Sequence, residues 1–444
     1  MPKTDTAPDP NLVQASPTKE FFIYMLTKDI ELSRAILDLV DNSVDGARRV
    51  RPNENHAGLS VRLEVTKNHF RISDNCGGID VDLARDYAFK FGRDPKMPKM
   101  KHSVGQFGVG MKRALFKIGR HFRIESSTAS SRFVISQGVE QWKDDPEWNL
   151  TFSELDENTK IPPDDRGTVV EVTQLLPSVS ADFQLENFRH RLGKEIQDAH
   201  QESIEKGLAI TLNKIPLVQN PITLLESDEI RSAFQRLKFR ANGGPRVRCK
   251  LYAGISESAP DEAGWYVFCN GRLVLGADQT TVTGWGEGRG RIIPHYHNQF
   301  ARFRGYGFFD CDDAALLPWN TTKTGIDTDS KVFRGVRQHI LKVTRPVIDF
   351  LNALDAEKDR EDGRNPLDRA VNQSKPTGLA KIKKAANFKG PKARAQPPGP
   401  PTGRIQYSKP LKEIDEVKRV LKVRALKEVG EGTFDYFRKH ECSR

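Results

Sequence analysis

The feature that most constrains this chain is a series of three polar or glycine-rich segments, at residues 38–45, 74–78 and 105–110. The first lies in the run A-I-L-D-L-V-D-N-S-V-D-G-A, whose apolar residues recur at helical spacing. At about 100° per residue, one face of this helix carries four polar side chains: Asp38, Asp41, Asn42 and Asp45. A solvated helix face gives the same pattern, so the helix alone is compatible with either a surface or a site.

The second and third segments contain glycines that let the backbone approach a ligand closely. In I-S-D-N-C-G-G-I-D, Asp74 ends an alternating strand, and a simple turn is the alternative interpretation. In V-G-Q-F-G-V-G-M-K-R-A, Gly105, Gly108 and Gly110 directly precede a helix, where free N–H groups and the helix dipole suit phosphate oxygens. A basic loop containing prolines stands before these glycines, so the segment does not match the strand-turn-helix opening of a dinucleotide-binding fold.

Taken together and in this order, the three segments resemble the GHKL superfamily: DNA gyrase B, the ninety-kilodalton heat-shock chaperones, histidine kinases and MutL. A fourth element agrees, because Gly167 and Thr168 open an alternating strand and match the superfamily's late G-T motif. The resemblance covers residues 20–175. It implies a Bergerat-type α/β sandwich that binds ATP with Mg²⁺ and slowly hydrolyses it.

The resemblance also implies a role for each matching residue. Asn42 would hold Mg²⁺ at the phosphates, and Asp45 would make polar contacts beneath the nucleotide. Asp74 would accept the adenine amino group, which guanine lacks at that position, and Thr168 would support Asp74 through water. The remaining assignments are to the walls of the pocket: Gly78 beside the adenine, and Gly105, Gly108, Gly110 and Lys112 at the triphosphate. Residues 92–103 stand where the superfamily keeps a mobile lid.

Two positions depart from the superfamily's pattern. The usual general base is a glutamate four residues before the magnesium-binding asparagine, and this chain has Asp38 there. A carboxylate that is shorter by one methylene puts the rate in doubt more than the binding. Cys76 replaces the first glycine of the D-x-G-x-G motif, and we interpret it as a tolerated small residue without a redox role.

A second resemblance concerns the middle of the chain. The strand-like run W-Y-V-F-C-N-G-R-L-V is similar to a segment of the transducer domain of MutL, gyrase B and MORC proteins. In L-P-W-N-T-T-K-T-G, Lys323 would then reach the γ-phosphate as a catalytic residue, with Asn320 as a weaker companion. An ordinary surface lysine is the alternative.

Periodicity and composition predict an α+β protein of five parts. They are a disordered start (1–17), the ATP-binding domain (18–180), a transducer-like α+β domain (181–355), a disordered basic linker (356–410) and an amphipathic helical segment (411–444). The linker is expected to be disordered because no acidic residue occurs between Asp368 and Glu413, while lysines and prolines recur. The predicted elements include a hairpin of alternating strands that runs into the Asp74 loop, and one long helix over 182–207.

Composition limits the class of protein. The 444 residues carry a formal net charge of +11, which permits polyanion partners without specifying one. No apolar run is long enough for a membrane-spanning helix, and the five scattered cysteines argue against a disulfide framework. We therefore expect a cytoplasmic protein with reduced thiols and no membrane partner.

The leading functional hypothesis is an ATPase that forms a homodimer on ATP binding and closes as a clamp in a DNA-associated process. The basic tail is the proposed DNA contact, because a run of cations gives salt-sensitive phosphate affinity. Two alternatives stay open: a chaperone-like ATPase acting on protein clients, and a nucleotide-sensing scaffold with little turnover, for which Asp38 is the best argument.

Overall fold

The computed structural model describes residues 13, 17–52, 55–92, 100–105, 108–240, 244–287, 293–357, 365–391, 405 and 407–442. The chain divides into two compact units, residues 1–392 and residues 393–444. The architecture is mixed α+β, as the sequence predicts. None of the helices in the described ranges combines the length and apolar character needed to cross a membrane.

The first part of the larger unit alternates helices with antiparallel strands. In chain order its elements are α1 (Lys19–Lys28), α2 (Leu32–Val50), β1 (Ser60–Val65), β2 (His69–Asp74), α3 (Val81–Leu83), a π-helical turn (Ala84–Ala88), α4 (Gly110–Ile118), β3 (Gly119–Ser127), β4 (Ser131–Gly138), α5 (Val139–Asp144), β5 (Phe152–Glu157) and β6 (Gly167–Leu175). The predicted hairpin is confirmed, because β1 pairs antiparallel with β2 and sets Leu63 opposite Ile72.

The second part of this unit contains the remaining strands and a long helix. Its elements are α6 (Pro177–Gln184), α7 (Glu186–Ala199), α8 (Gln201–Glu205), β7 (Ala209–Leu212), β8 (Ile215–Leu217), β9 (Thr223–Glu226), β10 (Ala233–Arg240), β11 (Arg246–Ile255), β12 (Gly264–Cys269), β13 (Arg272–Asp278), β14 (Phe303–Asp310), α9 (Lys331–Glu357), α10 (Pro366–Gln373) and β15 (Lys375–Gly378). The single helix predicted over 182–207 is wrong, since α6, α7 and α8 share that stretch.

An eight-stranded sheet in the order β5-β4-β3-β6-β2-β1-β7-β8 positions the site. Successive side chains of a strand point to opposite faces of the sheet. In β1, Val61 and Leu63 are buried, whereas Arg62 and Glu64 are exposed. Helix α2 packs in the same hydrophobic core through four fully buried residues at helical spacing: Ile36, Val40, Val44 and Ala47. The polar edge of α2 is thereby held in a fixed place beside the sheet.

The predicted boundary at residue 180 falls inside the first domain. Strand β7 pairs in parallel with β1, with Val61 opposite Ile210, and β8 extends the sheet beyond β7. The sheet therefore continues to Leu217. Helices α6 to α8 form the crossover that a parallel strand pair requires, and their helical periodicity alone does not reveal to which sheet the chain returns.

A second sheet has five strands in the order β10-β11-β14-β12-β13. Helix α9 packs against it, and Trp265 of β12 donates a hydrogen bond of 3.1 Å to the buried Thr344 hydroxyl of α9. Residues 233–357 thus contain both a sheet and a packed helix, as expected for the α+β middle domain. The likeness of this domain to a transducer stays a prediction.

The predicted disorder of residues 356–410 is wrong for residues 365–391. Strand β15 pairs antiparallel with β9, and Ala385 and Lys389 bridge to Phe234 and Arg231. Ile382 and Phe388 are buried. The composition argument failed here because these two apolar side chains suffice to dock a lysine-rich segment on an existing core. Residues 392–404, which include the proline-rich run, lie outside the described residues.

The smaller unit contains two helices where one was predicted. They are α11 (Leu411–Leu421) and α12 (Leu426–Glu441). Lys422 ends α11 with a φ of 56°, in the left-handed region, and this turn reverses the chain. Both helices expose large apolar side chains such as Val420, Phe434 and Phe437.

Phe388 provides a test of whether the lysine-rich segment is folded onto the core. Its ring packs on Phe350 of α9 at a centroid distance of 5.3 Å. We expect Phe388→Ala to lower the free energy of unfolding by about 3 kcal/mol, because it leaves a cavity. The exposed control Lys383→Ala should change it by less than about 0.5 kcal/mol. Urea denaturation measures both, and equal stability of the two variants would restore the disordered interpretation.

Candidate functional site

One cavity of about 500 Å³ opens between α2, β2, β6 and the start of α4. This volume lies in the range of small-molecule sites, and its walls combine apolar side chains with a few polar groups. The apolar walls include Ile72, Ile79, Leu83, Met100 and Val170. Polar side chains enter from two ends of the cavity, one around Asp74 and the other around Asp38.

The Asp74 end is held by three hydrogen bonds to one carboxylate. The Ser43 hydroxyl donates to Oδ2 at 2.6 Å, while the backbone N–H groups of Cys76 and Thr168 donate to Oδ1 at 2.9 Å and 3.3 Å. Burial raises the pKa of Asp74, and the hydrogen bond from Ser43 opposes that rise. The carboxylate is thus fixed in orientation beside the apolar part of the cavity.

Thr168 contacts Asp74 through its backbone. Its backbone amide contacts the carboxylate directly, whereas its hydroxyl lies 2.9 Å from the Ser126 hydroxyl. Ser126 in turn accepts a hydrogen bond of 2.7 Å from the amide of Ile79. The Thr168 amide thus supports Asp74 directly, and Ser126 holds the 77–79 turn. The water-mediated role of the Thr168 side chain stays a prediction.

That turn requires glycine. Gly78 has a φ of 71°, and a Cβ atom there would lie 2.1 Å from the Ser127 carbonyl oxygen. Its own carbonyl accepts a hydrogen bond of 2.6 Å from Arg49. Cys76 is buried at the cavity wall, and burial raises the pKa of its thiol. The thiol stays protonated, in agreement with its interpretation as a small wall residue.

Asp45 anchors the loop that precedes the glycines. Its carboxylate accepts hydrogen bonds from the Ser103 hydroxyl at 2.8 Å and from the amides of Val104 and Gly105, the latter at 2.7 Å. Burial raises its pKa against the effect of Arg48 and these donors. The amide of Gly105, predicted to face phosphate, therefore donates its hydrogen bond to Asp45. The Asp45 carboxylate holds the loop at residues 103–105.

The start of α4 forms the floor of the cavity. Gly110 occupies the first turn, whose N–H groups have no acceptor within the helix. A Cβ atom at Gly110 would lie 3.0 Å from Cγ of Asp38, so a larger residue would require the Asp38 side chain to shift. Gly108 has a φ of 68° and lines the cavity. Lys112 also lines it, and burial lowers the pKa of its ammonium to about 8.

Asp38 lies between two cations at the opposite end from Asp74. One oxygen forms an ion pair with Arg113 of α4, and the other accepts a hydrogen bond of 3.1 Å from Nζ of Lys323. Asp38 and Lys323 are each 4% exposed. The loop that carries Lys323 lies between β14 and α9, so this end of the cavity is built from distant parts of the chain.

Asp41 does not share the cavity-facing edge of α2, contrary to the prediction. It is fully buried and accepts hydrogen bonds from Lys323 at 2.6 Å and Arg272 at 2.8 Å, and Nε2 of His200 lies 3.1 Å away. Burial alone would raise its pKa, but Arg272 and Lys323 hold the pKa well below the usual range. Asp41 is therefore a buried anion that fixes two cations.

Those cations include the predicted catalytic lysine. Burial alone would lower the pKa of Lys323, but Asp41 and Asp38 raise it, so the ammonium stays charged. Two of its three N–H donors are used by the two carboxylates. Burial lowers the pKa of His200 to about 4, and the ring beside Asp41 is neutral at pH 7.

Asn42 and the lid complete the predicted set. Asn42 is exposed and lines the cavity next to Gly105, one helical turn after Asp38. Asn320 lies in the loop that carries Lys323, where its side-chain oxygen accepts hydrogen bonds from Thr322 and Thr324. It does not line the cavity. Of the basic lid residues, Lys101 is described and exposed, whereas Arg93, Lys96 and Lys99 lie outside the described residues.

Sequence reasoning did not identify several residues of this site. Ser43 and Ser103 position the two carboxylates Asp74 and Asp45. Arg113 and Arg272 pair with Asp38 and Asp41. Ser43, Arg113 and Arg272 each belong to a run that was singled out for other residues, so a usable signal existed for these three.

The arrangement fits an adenine nucleotide with a divalent cation. A buried carboxylate beside apolar walls suits a flat heterocycle with an amino group, and an unblocked helix start with nearby cations suits phosphates. In the described part of the chain no cluster of three His, Cys, Asp or Glu side chains is arranged to hold a metal ion. The amide oxygen of Asn42 would then share Mg²⁺ with phosphate and water oxygens, a donor set that this ion prefers.

Comparison with known proteins bears on this geometry. No curated protein matches the chain. Residues 30–168 match the family described as histidine kinase-, DNA gyrase B- and HSP90-like ATPase. The matched region begins just before α2, which carries Asp38, and ends at Thr168, so it contains most of the cavity wall. This match places the domain that contains residues 30–168 in the GHKL ATPase superfamily.

Proposed function

We propose that the protein binds ATP with Mg²⁺ in this cavity and hydrolyses it slowly. One observation carries the proposal: Asp74 and the Asp38–Lys323 pair stand at two ends of a single cavity within a superfamily of ATP-binding domains. An adenine recognised at one end leaves the triphosphate to extend toward the other. The chain thus has a recognition group and a reactive group in one site.

Adenine recognition rests on Asp74. Ser43, Cys76 and Thr168 fix the carboxylate, and it accepts hydrogen bonds but cannot donate them while it is ionised. The adenine amino group can donate to it. A guanine carbonyl oxygen at the same place would face the Asp74 carboxylate, and both groups are acceptors. A buried site strongly rejects such a pair because neither group supplies a proton.

Phosphate binding is assigned to the start of α4 and Lys112, and Lys323 is assigned to the terminal phosphate during hydrolysis. The unpaired first-turn amides near Gly110 and the positive end of the helix dipole attract oxygen anions. Mg²⁺, when bound, neutralises phosphate charge, and Asn42 is the residue proposed to hold it. The third N–H of Lys323 remains for a terminal phosphate, where charge spreads during phosphoryl transfer.

Asp38 is the proposed base that orients the attacking water. Its carboxylate is held in one orientation by Arg113 and Lys323, which favours precise placement of a water molecule. The same two ion pairs engage both oxygens of the Asp38 carboxylate, which makes it less able to accept a proton from water. This observation favours the second candidate function, a nucleotide-sensing scaffold with little turnover, and it agrees with slow hydrolysis.

The proposal extends to what ATP binding drives. ATP would bring two copies of the chain together as a clamp, with DNA as the client and the cytoplasm as the location. A chaperone-like ATPase acting on protein is the alternative for the same pocket. ATPase assays with and without DNA, together with light scattering in ATP and ADP, distinguish these possibilities.

Asp74→Asn tests nucleotide recognition. We expect ATP binding to weaken by about one to two orders of magnitude, roughly the 1–3 kcal/mol of a mismatched buried hydrogen bond. Ser43→Ala, which keeps the carboxylate and removes one of its supports, should have the smaller effect. Isothermal titration measures both, and wild-type protein should be stabilised by ATP but not by GTP. Equal stabilisation by the two nucleotides would reject the assignment of Asp74.

Asp38→Asn separates binding from chemistry. We expect it to bind ATP about as tightly as wild type and to lose turnover by about 10² to 10⁴-fold, the usual contribution of a positioned base. Asn42→Ala is the matched change one turn away, and it should weaken binding itself. Single-turnover phosphate release measures the rate. Undiminished hydrolysis by Asp38→Asn would remove Asp38 as the base, and no hydrolysis by wild type would favour the scaffold.

A further inference from the structure

Six cations lie in facing pairs along strands β10 and β11, at one edge of the five-stranded sheet. The strand register sets Arg236 opposite Lys250, Lys238 opposite Arg248 and Arg240 opposite Arg246. We call these six residues the cation ladder. All six are exposed, and the residues between them on each strand point to the other face, toward α9.

The ladder has few anionic partners. In the described part of the chain none of its six members forms an ion pair within 4 Å. Asp310 of β14 lies opposite Arg248, and Asp310 and Glu202 are the acidic groups whose pKa values Lys250 affects. Like charges directly opposite each other on a sheet destabilise it. Three consecutive rungs of this kind oppose folding through repulsion, and a polyanionic ligand would offset that repulsion.

The lysine-rich segment that follows β15 extends the same surface. Ile382 packs with Phe234 and Tyr252, which lie on the ladder's face of β10 and β11. The side chains on either side of Ile382 are exposed cations: Lys381, Lys383 and Lys384. The positive charge of this segment is therefore held by the fold next to the ladder.

We propose that the cation ladder binds the phosphate backbone of duplex DNA. Along a strand, alternate residues are about 6.7 Å apart, so three rungs span about 13 Å. This length is close to the roughly 12 Å width of the major groove, which lets cations at both ends contact phosphates on either side of one groove. Four of the six cations are arginines, whose planar guanidinium groups pair well with phosphate.

The surroundings of the ladder favour duplex over single-stranded DNA. Proteins that bind single strands present exposed aromatic rings on which bases stack. Four aromatic side chains on this face are buried: Phe234, Tyr252, Phe268 and Tyr306. Tyr266 and Phe308 are half-buried, and they stack on Tyr306 and Phe268 within the same cluster, so none of these rings is exposed. The ladder offers charge without stacking, and its binding should be independent of sequence.

This inference rests on the proposed association with DNA and moves the contact from the basic tail to a folded surface. It is independent of ATP turnover, because the ladder lies outside the nucleotide cavity. DNA binding measured without nucleotide therefore tests the ladder, whereas ATPase activity tests the pocket.

The experiment compares two double variants that each remove two exposed cations. Lys238→Gln with Arg240→Gln removes two positions of the ladder, and Arg62→Gln with Lys67→Gln removes two exposed cations at β1 and the turn after it. Fluorescence anisotropy of the full chain with a labelled duplex, at several salt concentrations, gives affinity and salt slope. Thermal unfolding and ATPase activity of each variant serve as controls.

We expect the ladder variant to bind duplex DNA at least tenfold more weakly at 100 mM salt. The slope of log affinity against log salt should fall by about 1.8, the value for two lost phosphate contacts. The control variant should change much less. The ladder variant should keep its ATPase activity and unfold at the wild-type temperature or above, because repulsion between opposite cations is reduced.

Several results would overturn the proposal. Equal losses of affinity in both variants would mean that net charge, not the ladder, binds DNA. Unchanged binding by the ladder variant would place the contact elsewhere. Equal or tighter binding of polyglutamate or of single-stranded DNA would reject duplex DNA as the ligand. If wild-type protein binds duplex DNA but does not hydrolyse ATP, the proposed function of the nucleotide cavity fails and the ladder proposal stands.

Discussion

The ion pairs of Lys323 with Asp38 and Asp41 are the interaction on which the rest of this site depends. All three groups are almost inaccessible to solvent, and the two carboxylates belong to consecutive turns of α2. Removing one partner of such a buried cluster leaves an uncompensated charge, at a cost of about 3–5 kcal/mol. The loop between β14 and α9 is therefore held against the nucleotide cavity by the same side chains that are proposed to act on the phosphates.

This arrangement joins helix α2 to the second sheet and to the loop that follows it. Lys323 is joined to Asp38 across 285 positions of sequence, and Arg272 of β13 reaches Asp41 from the same sheet. A terminal phosphate that contacts Lys323 competes with the two carboxylates for one ammonium. Binding and loss of that phosphate would then change the forces between α2 and the loop. Such differential contact is what a nucleotide-dependent conformational change requires.

The sequence predicted the elements that local rules determine. The β1–β2 hairpin follows from alternation, and the cavity-facing positions of Asp38, Asn42 and Asp45 follow from helical spacing. Long-range contacts were out of reach: Asp41 turns toward Arg272 and His200, and Arg113 pairs with Asp38, because strand order and loop packing decide them. The folding of residues 365–391 was also missed, since lysine content outweighed Ile382 and Phe388 in a prediction from composition.

Lys323→Met, which keeps the length of the side chain and removes its charge, tests the central claim most directly. Turnover of ATP and the dissociation constant for ATP are measured on the same preparation, at a temperature where the variant is folded. The account predicts that turnover falls by about 10²-fold, the effect of losing one group that stabilises transition-state charge, while the dissociation constant changes by less than about threefold. Wild-type turnover in the variant would contradict the account, because Lys323 would then be only a structural counterion of Asp38 and Asp41.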